Sequence, residues 1–253
     1  MNRRFGRPPM IALAHGSRDP RSAATIEELV GVIRDRQPGL DVRTAFLDLS
    51  APRLVDVLGA LHAEGHREAV VVPLLLGSAY HARVDIPGAL SRAATRFPLL
   101  NLRVADVLGP DPRLDDAVLR RLVEAGVDLA DDSVGVVLAG AGSSHTPAND
   151  AVAAVVRRLT RRTRWRATTA AFAAAADPDV PAAIAALRAR GATTIGLGSW
   201  FLAPGRLPDR VSTQAREVDA AVRIAAPLGT DIAEIVIDRY LESLHAEQES
   251  RYA

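Results

Sequence analysis

The sequence predicts an α/β protein of two tandem homologous domains, each a small parallel sheet flanked by helices. Three observations predict it. Apolar runs of strand length alternate with longer stretches whose apolar residues recur at helical spacing, the pattern of βαβ units. The alternation runs through once and then starts again near residue 126. A shift of 126 residues also superposes landmarks of the first run on those of the second.

Taken in order, the apolar run 10–14 is the first strand, followed by strands at 42–47, 69–75 and 102–105. The third is a continuous apolar run, which suits a parallel strand buried on both faces. Between them, 23–36, 51–64 and 85–96 carry helical periodicity. Asp85 opens the last of these as an N-cap, with Pro87 inside the first turn. Gly39 and Gly65 follow helix ends, where a positive φ is often needed. In the second run, 136–139, 166–172 and 194–198 read as strands, and 148–161, 181–190 and 207–218 as helices. The segment 231–249 is a closing helix with Ile232, Ile235, Val236 and Leu241 as its apolar residues.

In the shifted register Gly16-Ser17 falls on Gly142-Ser143, Phe46 on Phe172, Pro52 on Pro178 and Gly65 on Gly191. Leu13-Ala14 falls one place off Leu138-Ala139, which implies a one-residue slip at the first strand. The helical pattern breaks over 124–133, at Gly126, Asp128, Asp131 and Asp132, so the expected domains are 1–125 and 126–253. Two copies are too few, and the period too long, for a solenoid.

Composition narrows the function. With 253 residues, 48% of them hydrophobic, the chain can bury a sizeable core. Its 31 basic residues, all arginine, against 30 acidic ones give a net charge of +1, without the basic surplus of a non-specific nucleic-acid binder. The absence of cysteine excludes disulfides, zinc–cysteine sites, iron–sulfur clusters and thiol chemistry, so a metal would be held by His, Asp or Glu. No apolar run is long enough to span a membrane, and the stretch 10–14 is too short for a signal core. A soluble, cytoplasmic protein is expected.

In parallel sheets, ligands gather beyond the carboxyl ends of the strands. His15 ends the first strand, Asp48 follows the second, and His81 lies in the loop after the third, at equal spacings of 33 residues. Three neighbouring strand ends thus bring two imidazoles and a carboxylate together, a nitrogen/oxygen donor set suited to a divalent transition metal. The second half lacks them: Ala141 and Ala174 stand in the register of His15 and Asp48, and 201–206 has no histidine. That asymmetry predicts one working site per chain, built by the first half.

The segment Ala14-His15-Gly16-Ser17-Arg18-Asp19-Pro20, with Val72-Pro73-Leu74-Leu75-Leu76 and His81 just before Asp85-Ile86-Pro87, resembles the sirohydrochlorin chelatases of CbiX and SirB type. The resemblance covers the whole chain, since long members carry two fused chelatase-like halves. It implies insertion of Fe²⁺ or Co²⁺ into sirohydrochlorin, for siroheme or cobalamin synthesis, with iron favoured. It also implies that the metal is substrate rather than a permanent cofactor, that His15 and His81 are the catalytic, metal-handling pair, and that Asp48 sits where many members carry a carboxylate, usually Glu. The second half is then a degenerate copy, and the fused chain a monomer. A neutral imidazole can accept a pyrrole proton or hold the ion, and the division of those roles stays open. A large flat ring edged with carboxylates calls for arginine and backbone donors. The candidates are Ser17, Arg18, Ser78, Tyr80 and Arg83 beside the histidines, with Arg206 and Arg210 from the second half.

Other chemistries fit worse. A histidine phosphatase needs Arg where Ala14 stands, and Gly140-Ala141-Gly142-Ser143-Ser144-His145 has histidine where a dinucleotide loop needs its third glycine. There is no Gly-x-Ser-x-Gly elbow and no P-loop. His62, His66, His145 and His245 are expected on the surface. The arginines at 157, 158, 161, 162, 164 and 166 are expected to form a solvated helix end. The rival from another class is a non-catalytic metal or tetrapyrrole carrier on the same fold.

Overall fold

Strand β1 (Met10–Ala14) is apolar and buried throughout, so it lies inside its sheet rather than at an edge. β2 (Val42–Phe46) and β3 (Glu68–Pro73) pair with it in parallel on either side, and β4 (Asn101–Val104) follows β3, giving the order β2-β1-β3-β4. The computed structural model describes residues 6–77 and 85–252. Helices α1 (Pro20–Arg36), α2 (Leu54–Ala63) and α3 (Asp85–Arg96) connect these strands. Asp19 caps α1 by accepting from the Arg21 N–H, with Pro20 in the first turn, so the helix starts three residues before its apolar periodicity does. Asp85 is the first residue of α3 rather than the residue before it.

The second sheet repeats the first. β5 (Val134–Gly140), β6 (Ala167–Phe172), β7 (Thr194–Ser199) and the two-residue β8 (Arg223–Ile224) are parallel in the order β6-β5-β7-β8. Helices α5 (Thr146–Arg162), α6 (Val180–Ala189) and α7 (Arg206–Val218) correspond to α1, α2 and α3. The ladders remove the expected slip: Ala14 lies opposite Phe46 and Gly140 opposite Phe172, so both strands keep the shift of 126. The left-handed residues Leu49 and Ala175 are another matched pair in that register.

Sequence repeat and packing do not divide the chain at the same places. One compact unit comprises Met1–Gly109 with Gly229–Ala253, and the other Pro110–Leu228. Helix α4 (Pro112–Glu124), which follows β4 in the chain, packs on β7 and α5 through Leu114, Val118 and Leu122. Its Asp115 is buried and takes a two-pronged grip from Arg158, at 2.5 and 2.9 Å. Arg162 pairs with Asp116 at 2.5 Å and Arg166 with Asp132 at 3.5 Å. Of the six clustered arginines only Arg158 is drawn into the packing; the other five are exposed, as expected of a solvated helix end, with Arg162 and Arg166 forming surface ion pairs.

The closing segment does the reciprocal thing. A 3₁₀ turn (Gly229–Ile232) leads into α8 (Ala233–Tyr252), which lies against α1 and β3. Arg239 donates to the carbonyls of Val107 and Leu108 at 3.0 and 3.1 Å, and the Tyr240 hydroxyl donates to the Pro8 carbonyl at 2.6 Å. Burial pushes the Tyr240 phenol up to about 12. The folded state thus holds this proton more tightly than an unfolded chain with an ordinary tyrosine near 10. The stability it contributes is complete below about pH 10 and is lost as pH rises towards 12, by an amount on the order of 2 kcal/mol. Lysine, which would blur that window, is absent. Urea melts at stepped pH should show the decline, and Tyr240→Phe should flatten it from a slightly lower start; an equally steep decline in the variant would refute the assignment.

Candidate functional site

In the order β2-β1-β3-β4 the chain leaves β1 for one edge and crosses back to reach β3. The crevice between the carboxyl ends of β1 and β3 is therefore the topological switch point, where such sheets hold ligands. His15 is the first residue beyond β1. The ladder continues past the strands: Leu47 N–H donates to the Ala14 carbonyl and Asp48 N–H to the His15 carbonyl, each at 3.0 Å. On the other flank Leu74 N–H donates to the Leu13 carbonyl at 2.8 Å. His15 thus stands between Asp48 and the root of the segment 74–84, and both His15 and Asp48 are exposed.

Gly16 makes the approach possible. It adopts φ +97°, and a Cβ there would lie 1.7 Å from the Asp48 carbonyl oxygen. Only glycine tolerates both the left-handed backbone and the contact. Beyond it, Ser50 Oγ accepts from Ser17 N–H at 3.0 Å and donates to the Ser17 carbonyl at 2.9 Å, and Ser17 Oγ accepts from Asp19 N–H at 3.1 Å. Arg18 is exposed beside this turn.

Arg53, which sequence reasoning missed, lies 3.3 Å from the Asp48 carboxylate, both side chains being 59% exposed. It occupies the N-cap of α2 without making a side-chain cap, whereas Asp179 at the same repeat position caps α6 by accepting from Ala182 N–H. A cation at a helix N-terminus is locally unfavourable. That mismatch between the repeats is the signal that could have singled Arg53 out.

His81, Ser78, Tyr80 and Arg83 lie outside the described residues. Arg206 and Arg210 are exposed on the first turns of α7, in the unit formed by Pro110–Leu228. The structure therefore brings together His15, Ser17 and Asp48, with Arg18 alongside. The second repeat shows what has been lost. Trp200 N–H donates to the Ala139 carbonyl at 2.8 Å as Leu74 does to Leu13, but β7 and α7 are joined by 200–205 alone, against 74–84 between β3 and α3. The counterpart of the His81 segment is shortened away, not merely substituted.

Two other features of the first unit could pass for a site. A cavity of about 870 Å³ runs along β4 beneath α3, lined by Ile86, Leu90, Phe97, Leu99 and Val104, with no histidine among its described lining residues. At the opposite pole of the first sheet, Asp41, Glu64 and His66 place ligand atoms within 4.8 Å of one another. Arg43 already occupies that cluster, pairing with Asp41 at 2.7 Å and with Glu64. Its hydrogen bonds hold the Glu64 carboxyl below the usual range. This is an ion-pair knot, and His66 is buried in it, contrary to the surface position expected. His62 is half-buried against the Phe97 ring, whereas His145 and His245 are exposed as expected.

Two parallel α/β repeats, the first with a histidine directly after its leading strand and an aspartate two residues beyond the next where the second has alanines, define a tandem-repeat α/β protein. The chain belongs to the CbiX family, whose model matches residues 9–125 and again 135–243. It is 26% identical over 212 residues to a sirohydrochlorin cobaltochelatase of Priestia megaterium, covering 82% of this chain and 68% of that one. It is 25% identical over 235 residues to a sirohydrochlorin ferrochelatase of the same organism, covering 92% and 83%. The structure of SirB from Bacillus subtilis with Fe³⁺ shares the fold, at a TM-score of 0.76 and 22% identity over 95% of each chain.

Proposed function

We propose that this chain is a sirohydrochlorin chelatase, which inserts a divalent metal into the ring and releases two protons. The observation that carries the reading is the pairing of His15 with Asp48 at the switch point of the first repeat, where the second has Ala141 and Ala174. Metallation removes the protons of two pyrrole nitrogens as the ion crosses into the ring. Imidazole suits either half of that exchange, as a proton acceptor or as a ligand that releases its ion. Donors on open loops leave coordination positions free for transfer, unlike a closed four-ligand cage. In this reading His15 and His81 handle metal and protons, Asp48 completes the donor set, and Ser17, Arg18, Ser78, Tyr80, Arg83, Arg206 and Arg210 receive the ring. No helix among the described residues is long and apolar enough to cross a membrane. A cytoplasmic monomer with iron as its metal completes the proposal.

The test is an anaerobic absorbance assay with sirohydrochlorin and Fe²⁺ or Co²⁺ against the uncatalysed rate. The unaltered chain should accelerate insertion, and His15→Ala and His81→Ala should each lose about 10²-fold or more. A faster rate with Fe²⁺ supports the iron preference. No acceleration with either metal, while Co²⁺ still binds, would replace the enzyme with a carrier.

A further inference from the structure

The backbone N–H and carbonyl of the residue after the loop glycine are satisfied in both repeats, but by different partners. In the first, Ser50 supplies both contacts to Ser17 from the β2–α2 loop. In the second, position 176 is Ala. Asn149 of α5 takes over, its Oδ1 accepting from Ser143 N–H at 3.0 Å and its Nδ2 donating to the Ser143 carbonyl at 2.7 Å. The position matching Asn149 in the first repeat is Ala23. Each repeat thus has one clamp and lacks the other.

Satisfying two polar groups therefore does not require Ser50, since an amide on the following helix does the same. What the Ser50 clamp adds is a tie between loops. It holds the turn after His15 against the turn after Asp48, where Ser50 N–H also donates to the Asp48 carbonyl at 2.7 Å and Leu49 takes φ 63°. The Asn149 clamp stays within one loop and its own helix. The cross-loop clamp accompanies the repeat with His15 and Asp48, and the local clamp accompanies the repeat with two alanines. We infer that Ser50 is a positioning residue, fixing the separation of His15 and Asp48 for metal transfer. The inference rests on the reading of those two residues as the metal site.

The test separates this role from mere loop satisfaction. Ser50→Ala should weaken Co²⁺ binding by the protein alone about tenfold, slow insertion by a similar factor and lower Tm by ~4 °C. Ala23→Asn in the Ser50→Ala background transplants the clamp of the second repeat. It should restore Tm while leaving Co²⁺ affinity and rate depressed. Asn149→Ala should lower Tm and leave both unchanged. Recovery of metal affinity together with Tm in the double variant would overturn the inference, as would unaltered affinity in Ser50→Ala. If the unaltered chain binds Co²⁺ but does not metallate the ring, the chelatase reading fails and the affinity arm still decides Ser50. If it binds no Co²⁺, Ser50 has no site to position and the inference falls too.

Discussion

Gly16→Ala should abolish metal insertion and destabilise the fold, and Gly142→Ala should do only the second. The two glycines are equivalent in conformation, with φ of +97° and +81°, and a Cβ would lie 1.7 Å from the Asp48 carbonyl oxygen in one case and 1.9 Å from that of Ala174 in the other. A backbone oxygen has no rotamer with which to escape. Either variant must move one loop away from its neighbour, on top of the strain of a left-handed alanine. About 3 kcal/mol or more of stability should go in each case. At Gly16, however, the displaced loops carry His15 and Asp48, so insertion should fall to the level of His15→Ala even in molecules that remain folded. The measurement is rate per folded protein, with the folded fraction taken from circular dichroism at the assay temperature. If Gly142→Ala lost rate per folded molecule as Gly16→Ala does, the second repeat would share the chemistry and the division between the two loops would be wrong.

That division was legible in the sequence because it depends on strand ends. A histidine directly after an apolar run, and an aspartate after the next, must share one edge of a parallel sheet, and the order β2-β1-β3-β4 makes them neighbours. Ser50 was not legible, since nothing in the spacing of a loop serine distinguishes a clamp from a solvated side chain. Comparing the repeats position by position would have raised it, through Ala176 and Asn149. His66 was misread for a related reason. Its place four residues after His62 suggests a helix surface, but α2 stops at Ala63 and the chain turns His66 inward to meet Asp41 and Glu64.

The fold divides in the same way. The apolar run at 69–75 announces itself locally, whereas apolar periodicity places the start of α1 three residues late, past its Asp19-Pro20 cap; the repeat register is exact once the ladder places Ala14 beside Phe46 and Gly140 beside Phe172. Helix α4 was overlooked although Asp111 caps it and Pro112 begins it, because the broken pattern after Glu124 is the louder signal in that stretch. β8 has two residues, too few to show any period. Which helix covers which sheet is beyond periodicity altogether. An amphipathic helix states that it has an apolar face, not where the chain will take it.

The closing segment, whose destination periodicity leaves open, is where removal should cost most. A chain ending at Leu228 should lose the folded state of the Met1–Gly109 unit, and with it all metal handling, while Pro110–Leu228 still melts cooperatively. Within the removed segment Ile232, Ile235, Val236, Ile237 and Tyr240 are at most 2% exposed, lying against α1 and β3. At about 1.5–3 kcal/mol for each large apolar side chain, their burial contributes roughly 10 kcal/mol. That is comparable to the whole stability of a typical domain, about 5–15 kcal/mol. The hydrogen bonds from Arg239 to Val107 and Leu108, and from Tyr240 to Pro8, would go as well. The second unit loses no residue, because it takes its covering helix α4 from the end of the first repeat. Amide hydrogen exchange distinguishes the cases. Protection should vanish across β1, β2 and β3 and persist across β5, β6 and β7. Retained protection in β1 and β3 would mean that the first sheet closes its core without α8, and the assignment of that helix as its cover would fail.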